Sequence, residues 1–288
     1  MSINLTVCGQ TDIGLLRETN EDAFVVSDLT GDSLIGAIPR AGFEIRERGV
    51  LLAVSDGMGG HNAGEVASAL VIESLRRSMK TTSTIPLDDA LLERAVKSAN
   101  RQVWEAAKLP GRRDMGATLT AVFLHGPTAY IAEVGDSRAY LLRGGRLVQV
   151  TRDQSYVQML VDSGALTPED AADAPYKNVI LQAMGQEPDV QVAMGKLDLR
   201  QGDSFVLCSD GLTNELHASE IRDAILGAPR LDAACSVLID LAKLHGGRDN
   251  ITVVLGSVSG DLPEAVPDER VSGALQRLKE FDAPASSA

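Results

Sequence analysis

Five acidic clusters stand at the ends of apolar runs in this sequence, and their residue types suit the holding of small divalent cations through oxygen. They are RETNED (Arg17 to Asp22) before DAFVVSD, Asp56 in VSDGMGGHNAGEVAS, Asp136 in VGDSRAY, Asp210 in LCSDGLTNEL, and Asp249 with Asn250 in GGRDNITVV. A strand end is where a rigid sheet fixes a side chain while a loop leaves room for a ligand. Each cluster also has an ordinary local reading. RETNED can be a solvated charged loop, Asp56 and Asp249 turn residues, Asp136 a bulge or turn aspartate, and Asp210 a helix N-cap. Together they favour a shared site. Oxygen-only ligands suit Mg²⁺ or Mn²⁺ over zinc, and no cysteine or histidine pairs occur at ligand spacing. Clustered carboxylates repel one another without cations. Two ions held this way activate water and clamp phosphoryl oxygens for in-line displacement. Gly57, Gly59 and Gly60 allow close backbone approach, and a backbone carbonyl is itself a hard-cation ligand. Arg17 then suits a bidentate phosphate contact.

The elements that must position these groups follow from periodicity. NLTVCG, DAFVVSD, GVLLAVSD, ATLTAVFLH, AYIAEVGD, RAYLL, LVQVT, DSFVLCSD and NITVVLGSV predict strands. HGPT at 125–128 and RGGR at 143–146 predict tight turns, and with them an antiparallel meander. Val66, Ala67, Leu70, Val71, Leu75 and Met79 share a helical face, with Asn62 and Glu65 spaced as cap and partner. A second face joins Leu91, Leu92, Ala95, Val96, Ala99, Val103 and Ala106, with Pro86 near its start and LPG at 109–111 closing it. Two further helices are expected around 214–226 and 230–244. Strands in runs with helices in pairs predict an α+β layered fold, with helices outside antiparallel sheets. Residues 152–186 interrupt the rhythm as a surface insertion. In the 261–288 tail, Val271, Leu275, Leu278 and Phe281 form one stripe of a short helix, unless the terminus is frayed.

The 288 residues carry 27 basic and 40 acidic side chains, a formal charge of −13, which disfavours nucleic acid and anionic membranes as partners. Cys8, Cys208 and Cys235 are odd in number and lack CxxC spacing. That argues against a disulfide framework or zinc ribbon and for a reducing cytoplasm. The start, MSINLTVCGQTD, lacks a basic leader, and no run approaches the roughly 20 apolar residues of a membrane span. Neither export nor an anchor is expected.

In order and wording, RETNED, VSDGMGGH with GEVAS, GATLTA, VGDSRAY, CSDGL and RDNITVV resemble the motif series of the bacterial-type protein phosphatase 2C family, the metal-dependent PPM serine/threonine phosphatases. The resemblance runs from about residue 8 to 258. It implies an α-β-β-α sandwich of two antiparallel sheets flanked by helix pairs, a catalytic domain over 1–260 with a flap at about 152–186, and a tail over 261–288. It also implies a dinuclear Mn²⁺ or Mg²⁺ site between the sheets, with a third, weaker ion. Asp56 would bridge the two ions, Asp210 and Asp249 would complete one, and Glu21 with the Gly57 carbonyl would serve the other. Asp22 would orient metal-bound water, Asp136 would help hold the third ion, and Arg17 would bind phosphate. His61, whose imidazole has an ordinary pKa of about 6.5, suits the general acid. Relatives carry a histidine directly after the Asp-Gly pair, where this chain has Met58, and often Asp-His-Ser where it has Asp153, Gln154 and Ser155. His125, His217 and His245 read as structural. The implied reaction is hydrolysis of phosphoserine and phosphothreonine monoesters. The implied partners are phosphorylated proteins, among them a serine/threonine kinase and its substrates, and the implied enzyme is a monomer. Two competing functions are a catalytically silent module that binds a phosphoprotein, which would be expected to lose a metal-bearing aspartate, and a metal-dependent hydrolase of another phosphate compound.

Overall fold

Long apolar runs such as VLLAV at 50–54 are buried on both sides, which requires a second layer on each face of the sheet that holds them. A computed structural model of the chain describes residues 2–31, 33–35, 37–59, 63–81, 87–172, 174–266 and 271–283. The chain opens with β1 (Ile3–Asp12), β2 (Asp22–Asp28), β3 (Ser33–Ile35), β4 (Ile38–Glu44) and β5 (Val50–Met58), then α1 (Ala63–Thr81) and α2 (Asp89–Ala107). There follow β6 (Gly116–Ala117), β7 (Leu119–His125), β8 (Thr128–Val134), β9 (Arg138–Arg143) and β10 (Arg146–Gln149), then α3 (Tyr156–Asp162) and α4 (Pro168–Ala172). The last part holds β11 (Ala193–Asp198), β12 (Ser204–Cys208), α5 (Asp210–Thr213), α6 (Ala218–Gly227), α7 (Leu231–His245), β13 (Ile251–Gly260), α8 (Val271–Ala274) and β14 (Gln276–Lys279).

One sheet runs β10-β9-β12-β13-β1-β4 and the other β14-β11-β8-β7-β5-β2-β3, with β6 beside β5. The α-β-β-α order follows from three apolar layers. Leu5, Val7, Phe24, Leu52, Val54, Phe205 and Val254 pack between the sheets. Val25, Leu51 and Ala53 meet Val71, Leu75 and Met79 of α1 and Leu92, Val96 and Val103 of α2. Val206, Cys208 and Val253 meet Leu212, Ile221, Leu238 and Ile239 of α5–α7. Burying these side chains drives assembly at roughly 25 cal/mol per Å² of apolar surface.

Four expectations change. Both predicted hairpins form, with Gly144 (φ 57°) and Gly145 (φ 76°) supplying the positive φ pair such a turn needs. The meander does not continue, because β8 pairs with β7 and β11 while β9 pairs with β10 and β12. The chain changes sheets over Gly135–Ser137, where Gly135 has φ 102° and a Cβ would lie 2.8 Å from Thr118 Cγ2. The tail stripe forms one helical turn, α8, and then the edge strand β14 against β11. The helix expected from 214 starts at Ala218, and Asp210 is the first residue of the separate turn α5, with Ser209 as its N-cap. Finally, Cys8 of β1 and Cys235 of α7 form a disulfide, with Cys208 free and buried. Cysteine spacing is blind to a pair that the fold brings together across 227 residues, so the argument from cysteines to a reducing compartment loses its premise. The cap expected at Asn62, and Pro86 expected near the start of the second helix, lie outside the described residues. Asp88 caps α2, accepting the Leu91 N–H at 3.2 Å. No described helix is long and apolar enough to cross a membrane.

Candidate active site

Strand ends from both sheets meet at one end of the sandwich. Asp22 opens β2 directly opposite Asp56 in β5. Cys208, which ends β12, pairs with Val253 of β13, so Ser209-Asp210 and Asp249-Asn250 emerge side by side from the other sheet. Two glycines permit the close approach. A Cβ on Gly57 would lie 2.1 Å from the Gly64 carbonyl of α1, and one on Gly211 would lie 2.1 Å from the Asn250 carbonyl. Backbone therefore seats on backbone at both points, and any side chain there would push the layers apart.

Three of the carboxylates are held individually by local donors. Ser209 Oγ and Thr252 Oγ1 donate to Asp22 Oδ2 at 2.7 and 2.6 Å. Asn214 Nδ2 donates to Asp210 Oδ2 at 2.9 Å, and Arg17 Nη2 pairs with Asp249 Oδ2 at 2.7 Å. Glu21 accepts at its backbone carbonyl from the Gly57 N–H at 3.1 Å and from Ser68 Oγ at 2.5 Å. Its Oε2 lies 2.6 Å from where a Cβ on Gly64 would be, at the start of α1. Asp136 sits on the crossover turn. Gln154 brackets that turn, donating its N–H to the Gly135 carbonyl at 2.8 Å and accepting the Gly135 N–H at Oε1 at 3.0 Å. Thr118 links this turn to Asp56: its Oγ1 accepts the Asp56 N–H at 2.9 Å and bonds Ser137 Oγ at 2.7 Å.

Burial and repulsion from neighbouring carboxylates raise Asp22, Asp56, Asp136 and Asp210. Asp22 is pushed up to about 7 by burial and by Asp210 and Asp249, against the hydroxyls of Thr252 and Ser209. Burial and then Asp22, Asp210, Asp136 and Asp249 hold Asp56 well above the usual carboxylate range. Asp136 is likewise well above it through burial and Asp210, and Asp210 is raised by burial and Asp249. Asp22 Oδ1 and Asp210 Oδ1 are buried without any hydrogen-bond partner. Like-charged oxygens with unfilled acceptor sites suit hard divalent cations, which relieve both penalties at once. Among the described residues no three such side chains close around a single point, and the protein donors named above hold several of the oxygens instead.

Arg17, half exposed, stands on a loop fixed by a residue the sequence reading noted only as part of a motif. Asn250 donates through Nδ2 to the carbonyls of Ile13 and Thr19 at 3.0 and 2.9 Å, and accepts the Glu21 N–H at 2.8 Å. Ser209, Thr252, Thr118 and Gln154 were also missed as supports. Their signal was adjacency to an acidic motif, and short hydroxyl or amide side chains beside a carboxylate are too common in turns to stand out. His61 lies outside the described residues, as do Gly60 and Asn62. His125 and His245 bond the Glu47 and Glu215 carbonyls at 3.1 and 3.0 Å, and His217 precedes α6 as its N-cap residue. A cavity of about 660 Å³ leads from Asp136 and Asp210 between the 152–186 insertion and α5–α6, with Arg138, Asp153, Lys177 and Arg248 on its walls.

Comparison with known proteins agrees with this arrangement. Residues 40–235 match the family model described as Protein phosphatase 2C. The chain is 37% identical over 268 residues to the serine/threonine protein phosphatase PstP of Mycobacterium tuberculosis, covering 90% of this chain and 46% of PstP. It is 35% identical over 250 residues to the serine/threonine phosphatase stp of Listeria welshimeri, covering 85% of this chain and 93% of that protein. The chain thus spans about half the length of PstP and nearly all of the Listeria protein. The crystal structure of the PstP catalytic domain in complex with two manganese ions superposes with a TM-score of 0.74 at 36% identity, covering 90% of this chain and all of that one. Carboxylate cluster, sandwich and sequence likeness agree, and the chain belongs to the protein phosphatase 2C family.

Proposed function

We propose that this chain is a Mn²⁺- or Mg²⁺-dependent protein phosphatase that hydrolyses phosphoserine and phosphothreonine monoesters, opposing a serine/threonine kinase. The observation that carries the reading is the pair of buried, unpartnered oxygens on Asp22 and Asp210 inside a carboxylate cluster beside Arg17. Asp56 with Asp210 and Asp249, and Glu21 with the Gly57 carbonyl, are the groups that would hold two ions. Asp136 would help hold a third, weaker one. Bound there, such ions supply Lewis acidity that makes water nucleophilic and offsets phosphoryl charge.

The chain's own residues do the rest. Ser209 and Thr252 fix one oxygen of Asp22, leaving Oδ1 to accept a hydrogen bond from the attacking water. Arg17 exchanges Asp249 for the phosphate, and its guanidinium suits that bidentate contact. Asn250 keeps the Arg17 loop in place. His61 is the proposed general acid for the leaving alkoxide. Phosphorylated proteins, including a kinase and its substrates, are the proposed partners, and the proposed form is a cytoplasmic monomer. The test compares p-nitrophenyl phosphate with a phosphothreonine peptide, with and without Mn²⁺. Metal-dependent turnover of both supports the reading. No turnover points to a silent binding module, and turnover of the small ester alone points to another phosphate substrate.

A further inference from the structure

One further buried acid, on the strand that leads into the Asp136 turn, has no place in the proposed reaction. Glu133 of β8 is 2% exposed. Its Oε2 accepts the Arg152 N–H at 2.8 Å, and its Oε1 has no partner. It lines a solvent-open cavity of about 70 Å³ bordered by β8, β11, the root of the 152–186 insertion and the tail that follows β14. Ile131, Val150, Met159, Leu181, Leu275 and Phe281 supply apolar walls.

The charged side chains around this cavity are otherwise matched. Arg152 pairs with Asp162, Asp153 with Arg138 at 2.6 Å, Arg277 with Glu280 at 3.6 Å, and Lys279 with Glu93 at 2.6 Å. Among the described residues lining the cavity, Glu133 is the charged group without an ion-pair partner. Burial, with the charges of Asp153 and Asp136, holds its carboxyl well above the usual range, against the Arg152 N–H and the Arg138 charge. A buried carboxylate is strongly disfavoured unless a cation or donors meet its oxygens.

We propose that this cavity binds the head group of a small organic ammonium ion, with Glu133 as its anchor and the apolar walls around its first carbons. The size fits. A cavity of about 150 Å³ accepts a benzene ring, so about 70 Å³ takes a group of a few non-hydrogen atoms. The site also touches the catalytic end through its wall. Gln154 donates through Nε2 to the Glu133 carbonyl at 3.1 Å and brackets Gly135, next to Asp136. Asp153 holds Arg138 on the far side of the same turn. Occupancy therefore stiffens the residues that brace Asp136.

The test is thermal unfolding and titration calorimetry of the full chain in ethylammonium chloride, with tetramethylammonium chloride at the same ionic strength as a cation lacking N–H donors. A saturable rise in midpoint and measurable heat are expected with ethylammonium alone. Glu133→Gln should weaken that binding at least tenfold. Ala283→Phe, which fills cavity space from a partly buried position on its wall, should weaken it as well and serves if the glutamine variant fails to fold. Identical midpoints in the two salts would mean that water or a protonated carboxyl suffices, and the proposal would fall. It would equally fall if either folded variant bound ethylammonium as tightly as the wild type.

Discussion

Replacing Asp22 with asparagine should make the chelated protein more stable while abolishing most of its activity. The carboxyl of Asp22 is pushed up to about 7 in the fold from an ordinary 3.8. An acid raised in this way stabilises the fold below its unfolded value, and that contribution disappears as pH rises through about 7. At pH 8 the folded chain must hold Asp22 charged among Asp56, Asp210 and Asp249 at a cost of up to roughly 4 kcal/mol. Asparagine removes the charge, and its carbonyl still accepts from Ser209 and Thr252. Its amide faces neighbouring carboxylates in place of the unpartnered Oδ1. Relaxation and protonation of the neighbours reduce the gain to roughly 2–4 kcal/mol. With an unfolding entropy of about 2.1 cal/mol/K per residue, that is a rise in midpoint of roughly 3–7 °C. Thermal unfolding in excess chelator from pH 5 to 8 reads it out. The wild-type midpoint should fall as pH rises, and the Asp22→Asn midpoint should fall less and lie higher at pH 8. Saturating Mn²⁺ should raise the wild type and flatten its profile. A wild-type midpoint that does not change with pH in chelator, or an asparagine variant less stable at pH 8, would refute the repulsion argument.

Other perturbations separate positioning from chemistry. Asn250→Ala removes three hydrogen bonds to the Arg17 loop and should cost about 3 kcal/mol at roughly 1 kcal/mol each. Phosphopeptide kinetics should show a KM raised several-fold, and an unchanged KM would mean that the loop needs no tether. Arg17→Ala should chiefly raise KM, since a guanidinium that grips phosphate in ground and transition states alike leaves kcat little changed; a loss confined to kcat would contradict that role. Asp136→Ala should fold normally and retain two metals by titration, yet turn over phosphopeptide much more slowly across the Mn²⁺ range. Full activity with a lowered midpoint would make Asp136 a turn residue.

Much of this architecture was legible in the sequence because strong periodicity and local turn chemistry act over short range. The nine predicted strands and the α1 and α2 stripes depend on neighbours a few residues away. Asp22, Asp56, Asp136, Asp210 and Asp249 could be singled out because each stands at one end of an apolar run. Long-range features were less accessible. The change of sheet at Gly135–Ser137 depends on which partner each hairpin finds, and HGPT and RGGR specify only the hairpins. The Cys8–Cys235 disulfide and the Asn250 tether join segments more than 220 residues apart. The tail stripe misled because Val271, Leu275, Leu278 and Phe281 suit a helix in isolation, while the open edge of β11 offers backbone hydrogen bonds to a strand. β11 and β4 were overlooked because their runs, AMGKLD and IPRAGFE, are broken by glycine, proline and charged residues.

The central claim is that the carboxylate cluster holds ions essential to phosphoester hydrolysis, and metal titration of stripped protein tests it most directly. Calorimetric Mn²⁺ titration and phosphothreonine-peptide turnover should be followed on the same sample of wild type, Asp56→Asn and Asp210→Asn. The stripped wild type should be inactive and should regain activity as two ions bind tightly. Each folded variant should lose at least one of those ions and more than about nine-tenths of the rate, because a neutral amide is a poor substitute for a carboxylate on a hard cation. Full turnover by the stripped wild type, or two tight ions and near wild-type turnover in either variant, would contradict the claim.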